Sequence, residues 1–171
     1  MCFKRVFLTV AAVFVFGMAL AVPASHAVEQ PTQDDRFQSL LGWWQGQGRL
    51  LMREGKPETV KCRATYRFGE TKTQLLQAVR CATSGGKVEV KSEISNTGGE
   101  LKGTWTETVY ELAGELTGEF TPKGFRVKVS GSDLKARMDV RVRDDQQIVE
   151  IQFHDSTLIG MTMVFNRGRS R

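Results

Sequence analysis

From Trp44 onward, apolar and polar residues alternate along the chain with a period of two. The clearest run is Val60 to Phe68, where Val60, Cys62, Ala64, Tyr66 and Phe68 share one face and Lys61, Arg63, Thr65 and Arg67 the other. Val88, Val90, Ser92 and Ile94 alternate with Lys87, Glu89, Lys91 and Glu93 in the same way. Leu134, Ala136, Met138, Val140 and Val142 do so against Lys135, Arg137, Asp139, Arg141 and Arg143. Successive side chains of a strand point to opposite faces, so each run predicts a half-buried antiparallel strand. Turn-forming clusters separate the runs, among them Glu54-Gly55-Lys56-Pro57, Ser84-Gly85-Gly86, Asn96-Thr97-Gly98-Gly99 and Pro122-Lys123-Gly124. The segments between turns predict about ten strands, at 44–53, 58–68, 73–82, 87–94, 101–109, 114–121, 124–130, 134–143, 147–153 and 157–166.

Short connections between consecutive strands describe an up-and-down meander. Such a meander can bury its apolar face by closing on itself or by packing as two sheets. Closure also removes the unpaired edges that invite aggregation. The expected fold is therefore all-β, an up-and-down antiparallel barrel of about ten strands.

The N-terminus departs from this pattern. Lys4 and Arg5 precede an almost unbroken apolar run from Val6 to Val22, followed by Pro23 and the small-residue stretch Ala24-Ser25-His26-Ala27. Basic region, apolar region and small-residue site in that order predict a signal peptide, residues 1–27, cleaved after Ala27, the alternative being a retained transmembrane anchor, which the short run and Pro23 disfavour. Residues 28–36 are polar and aperiodic and read as a flexible lead-in, which leaves 37–171 as a single domain. Periplasmic or secreted location follows. Cleavage would also remove Cys2 and two basic charges, lowering the net charge from +5 to about +3.

Cys62 and Cys81 remain, with His154 as the one histidine after cleavage. Two cysteines without further ligands in an oxidising compartment favour a disulfide over a zinc site. If the turn between the second and third strands centres on Thr71 and Lys72, opposing residue numbers sum to 143, as Cys62 and Cys81 do. The two cysteines would then face each other on the apolar side. The alternative is a pair of free buried thiols.

Candidate chemistry is sparse. Strict alternation places Glu107 on the face of Leu101, Gly103 and Trp105, where a carboxylate needs a partner or a raised pKa; it would anchor a ligand, act as an acid or base, pair with an inward basic residue, or turn outward at a register break. His154-Asp155-Ser156 sits in a turn, whereas a triad is assembled from separate elements. No catalytic constellation emerges, and an enzyme is the least favoured class. Lys61, Arg63, Arg67, Lys135, Arg137, Arg141 and Arg143 form outward basic stripes that suit solvent, an anionic envelope surface or a protein partner. Those same charges argue against a barrel that spans the membrane through its outer face. Nucleic acid is disfavoured by compartment and by the lack of exposed aromatic interleaving.

The segment Gly42-Trp43-Trp44-Gln45-Gly46-Gln47-Gly48 resembles the Gly-x-Trp and Trp-x-Gly-x-Gly signatures of calycin-type barrels, including nitrobindin-like, fatty-acid-binding and lipocalin-type proteins. That resemblance implies a barrel enclosing a small apolar ligand or a haem. It also implies floor closure by Trp44, with a basic residue of the last strand, Arg167 or Arg169, packed over it. The chain resembles, too, a group of small bacterial exported proteins without an assigned activity, through Cys62-Arg63-Ala64-Thr65-Tyr66, Arg80-Cys81 and Gly103-Thr104-Trp105-Thr106-Glu107, over residues 40–166. Haem is disfavoured because His154 falls in a turn, leaving the thioethers of Met138, Met161 and Met163 as the other axial candidates. No cofactor is therefore expected. Under the binding reading, Tyr66, Phe68, Leu75, Val79, Val90 and Trp105 line the cavity, together with Glu107, Phe120, Phe125, Met138 and Met161. The alternative is a structural or interaction protein of the envelope in which the same residues fill a solid core.

Overall fold

The computed structural model describes residues 36–131 and 133–168. The expected signal peptide (1–27), all of the expected lead-in but Arg36, and Arg169 lie outside the described residues. A 3₁₀ turn, Gln38–Leu40, leads into ten strands: β1 (Gly42–Met52), β2 (Glu58–Phe68), β3 (Gln74–Ala82), β4 (Lys87–Thr97) and β5 (Glu100–Glu107), then β6 (Leu112–Thr121), β7 (Gly124–Gly131), β8 (Lys135–Arg143), β9 (Gln146–His154) and β10 (Leu158–Arg167). Every strand pairs antiparallel with its sequence neighbours, and β1 pairs with β10 to close the barrel. The architecture is the up-and-down meander that the alternation predicts.

Closure leaves no free sheet edge among the described residues. The seam runs from Trp44 opposite Arg167 to Met52 opposite Leu158, with an irregularity between Leu51 and Met52. Tight coiling at this seam explains Gly48, because a side chain there would collide with the carbonyl of Thr162 and with Met163.

The β2–β3 pairing places Cys62 opposite Cys81, and the two are joined by a disulfide with a Cα–Cα distance of 4.1 Å. This is the register that the hairpin arithmetic requires. One difference from the expected strands is instructive. β5 stops at Glu107 rather than running to residue 109, because the Glu107 carboxylate accepts hydrogen bonds from the backbone N–H groups of Val109 and Tyr110 and folds the chain into a turn.

An up-and-down barrel has two ends, and here they differ. One end is plugged. Phe37, Leu40, Trp44, Leu75, Ile94, Leu101 and Phe125 are each at most 1% exposed there, and the Phe37 ring lies 5.1 Å from that of Phe120. At the opposite end, where the β1–β2, β3–β4, β5–β6 and β9–β10 hairpins turn, no such plug exists among the described residues. The interior is thus solid at one end and hollow toward the other.

Candidate functional site: an apolar chamber with a polar row

The plug is built from the first turn of chain that precedes β1. The indole Nε1 of Trp44 donates to the carbonyl of Leu40 at 2.7 Å, tying the 3₁₀ turn across the barrel floor. Arg167, at the end of β10, stacks its guanidinium 4.2 Å over the Trp44 ring. The same guanidinium donates to the carbonyls of Leu41 and Ser39 and to the carboxylate of Asp145. A planar fork with five donors suits this combination of stacking and several hydrogen bonds.

Above the floor lies a chamber of about 180 Å³. Its walls include Val79, Val88, Val90, Leu116, Val129 and Leu134, with Ala136, Met138, Val149, Ile151, Met161, Met163 and Phe165 completing the apolar lining. The disulfide sulfurs belong to the same wall, since both Cys62 and Cys81 line it. Toward the hairpin end, a second space of about 390 Å³ shares Cys81, Val88, Val90, Ile151 and Met161 with the chamber. Leu50, Tyr110, Phe153 and Leu158 border it, with the charged Glu58 and Lys87, and form a mouth.

Of the residues expected to line a cavity, the structure brings Tyr66, Val79, Val90, Trp105, Met138 and Met161 together around the chamber. Leu75 and Phe125 belong to the plugged end, and Phe120 packs there against Phe37. Phe68, the last residue of β2, packs against the same core. These four share the inward face but sit at the wrong height, since alternation specifies a face and not a position along the barrel axis.

Glu107 is buried, as its position in the alternation requires, and is bound to backbone rather than to the chamber. Its carboxylate accepts from the N–H groups of Glu89 at 2.9 Å, Val109 at 2.9 Å and Tyr110 at 2.6 Å. Burial pushes its pKa up, but those backbone hydrogen bonds outweigh burial and hold the carboxyl below the usual glutamate range. The group caps the β5–β6 turn.

Sequence reasoning missed a row of polar side chains. The pairing register aligns Tyr66 with Gln77, Gln77 with Ser92, and Ser92 with Trp105 across four adjacent strands. All four line the chamber. The Tyr66 hydroxyl accepts a hydrogen bond from Gln77 Nε2 at 3.1 Å and another from Gln147 Nε2 at 3.0 Å, while Ser92 Oγ donates to Gln77 Oε1 at 3.2 Å. Gln147 is fully buried. Burial pushes the Tyr66 phenol pKa up, against the opposing effect of the two amide hydrogen bonds, so the ring stays protonated. The signal in the sequence was present: Gln147 holds an inward position two residues before Val149 and four before Ile151.

His154 is the last residue of β9, exposed, and its neighbour Phe153 faces the mouth in its place. Met138, Met161 and Met163 do line the chamber. No group of three or more metal-ligating side chains converges among the described residues. On the outer surface, Asp139 pairs with Arg126 and Arg137, and Glu150 with Arg141, so the β8 stripe is partly neutralised. The β2 stripe instead borders a broad outer groove of about 910 Å³ that includes Lys61, Arg63, Arg80 and Lys87.

No protein-family model matches the sequence, and no curated protein matches it either. Solved structures do match the fold. The crystal structure of Rv2717c from M. tuberculosis superposes with a TM-score of 0.68 at 13% identity, over 82% of this chain and 100% of that one. The S-type phycobiliprotein lyase CPES from Guillardia theta gives 0.54 at 10% identity, over 79% and 92% of the two chains. The barrel has a calycin-like fold. At such identities the likeness is one of architecture alone. No helix among the described residues is long and apolar enough to cross a membrane.

Proposed function

We propose that this chain is an exported periplasmic binding protein that holds a small apolar or amphipathic molecule inside its barrel. The chamber carries the reading: an apolar void of about 180 Å³, floored by a dedicated plug and adjoined toward the hairpin end by a second space with which it shares wall residues. An apolar cavity of about 150 Å³ in a protein core is large enough to bind benzene, so this one has room for a ligand of that size or somewhat larger. A few convergent polar groups in an otherwise apolar cleft are the usual composition of a small-molecule site. Export is supported by the basic, apolar and small-residue order of residues 1–27 and by the disulfide, which persists in oxidising compartments.

Native mass spectrometry of protein purified from its own envelope fraction, with titration of the neutral fluorophore N-phenyl-1-naphthylamine, tests the proposal. A co-purifying small molecule or saturable one-to-one fluorophore binding is the expected result. Absence of both overturns it. A second reading, an envelope interaction protein, draws on the outer groove with Lys61, Arg63, Arg80 and Lys87. It gains if the chamber binds nothing and an anionic partner protects that groove from lysine modification.

A further inference from the structure

Resting on the binding reading above, we propose that the ligand presents a neutral hydrogen-bond acceptor, a carbonyl oxygen, to the Tyr66 hydroxyl, with the remainder of the molecule apolar. The argument begins with the valence of that hydroxyl. A phenol has one proton to give and two lone pairs with which to accept. Both lone pairs are engaged, by Gln77 Nε2 at 3.1 Å and Gln147 Nε2 at 3.0 Å. The proton has as its protein acceptor Gln147 Oε1 at 3.4 Å, on the same amide that already donates to the oxygen at shorter range. One planar amide cannot satisfy one hydroxyl well in both directions, and 3.4 Å is long for an O–H donor. The Tyr66 hydroxyl is thus held in place by two donors while its own proton is poorly used.

The donors of Trp105 and Ser92 are committed elsewhere. Trp105 Nε1 donates to the carbonyl of Ser130 at 3.0 Å, and Ser92 Oγ donates to Gln77. The Tyr66 proton, together with the second Nε2 proton of Gln77, is therefore what this row can offer a ligand, and both call for an acceptor. Two amides donating to the Tyr66 oxygen also polarise the O–H bond and strengthen it as a donor, as in any hydrogen-bonded chain.

Charge decides the class of acceptor. Among the described residues no Lys, Arg, His, Asp or Glu lines the chamber, and Glu58 and Lys87 border only the adjoining space toward the hairpin end. An anionic carboxylate would enter an apolar enclosure without a counter-ion, at a desolvation cost that one phenolic hydrogen bond does not offset. A ketone, aldehyde, ester or amide oxygen carries no such cost. The chemistry of the lining thus selects, at Tyr66, against a carboxylate and for a neutral carbonyl.

Three near-isosteric probes test this on the purified oxidised protein: acetophenone, ethylbenzene and benzoate, each competed against N-phenyl-1-naphthylamine at neutral pH. Acetophenone should bind about fivefold or more tightly than ethylbenzene, the scale of one net hydrogen bond. Benzoate should be the weakest. Tyr66→Phe should bring acetophenone down to the level of ethylbenzene and leave ethylbenzene within about twofold of its wild-type affinity. Equal binding of the ketone and the hydrocarbon, or preference for benzoate, overturns the inference while leaving the binding reading intact. Failure of the fluorophore and all three probes to bind removes both. The wild-type ranking needs no variant, so it decides the question even if Tyr66→Phe does not fold.

Discussion

The guanidinium of Arg167 lies 4.2 Å above the Trp44 ring and reaches past it to the carbonyls of Ser39 and Leu41. One side chain thereby joins the last strand, the first strand and the chain that plugs the floor. Cation–π stacking contributes about 0.5 to 2 kcal/mol, and hydrogen bonds from a charged donor contribute further. Arg167→Ala should therefore destabilise the barrel by about 2 kcal/mol or more in urea denaturation. Arg167→Lys should recover less than half of that, because an ammonium lacks the planar fork. Asp145→Ala should change stability by under about 0.5 kcal/mol, since its pair with Arg167 is solvent-exposed on the acidic side.

The disulfide should stabilise chiefly by restricting the unfolded chain. Cys62 and Cys81 are 19 residues apart, and the loop-closure model assigns about 3 kcal/mol to a loop of this size. Cys62→Ala with Cys81→Ala should lose about that amount, and reductant should lower the midpoint of the native protein but not of the double variant. Thiol labelling of unfolded, unreduced protein should find neither cysteine reactive. Two reactive thiols there would refute the bridge.

How far the sequence discloses this molecule depends on which property is asked of it. Alternation in β2, β4 and β8 reports the face of each residue, and the Cys62–Cys81 sum reports register, so strand order and closure were legible. Height along the barrel axis was not. Phe68, Leu75, Phe120 and Phe125 have the same inward phase as Val79 and Val90, and only the plug of Phe37, Leu40 and Trp44 determines which end is filled. The end of β5 was also hidden, because Glu107 terminates it through backbone hydrogen bonds that hydropathy does not encode. The polar row from Tyr66 to Ser92 needed three pairing registers at once, which no single strand contains.

Glu107 makes stability depend on pH. Its folded-state pKa is lowered, so the unfolded chain binds the proton more tightly and acid favours unfolding. The contribution is complete above the ordinary glutamate range, about 4.5, and is lost as pH falls through the lowered folded-state value. Glu107→Gln should destabilise by about 1 to 3 kcal/mol at pH 7, because an amide N–H would confront backbone donors. The gap between wild type and variant should narrow as pH drops below about 4. A gap that does not change between pH 7 and pH 3 would show that the carboxylate charge plays no part in the turn.

Filling the chamber separates binding from folding. Ala136 is buried on β8 and its side chain lines the void. In a packed core, added methylenes cost about 1 to 3 kcal/mol, but an existing void can accept them without displacing neighbours. Ala136→Leu should therefore keep its stability within about 1 kcal/mol of wild type while weakening N-phenyl-1-naphthylamine binding at least about tenfold. A solid core predicts the reverse: marked destabilisation by overpacking, with no saturable fluorophore binding to lose. Denaturation and titration on the same pair of proteins distinguish the two outcomes, and a destabilised variant with undiminished binding would place the fluorophore somewhere other than this chamber.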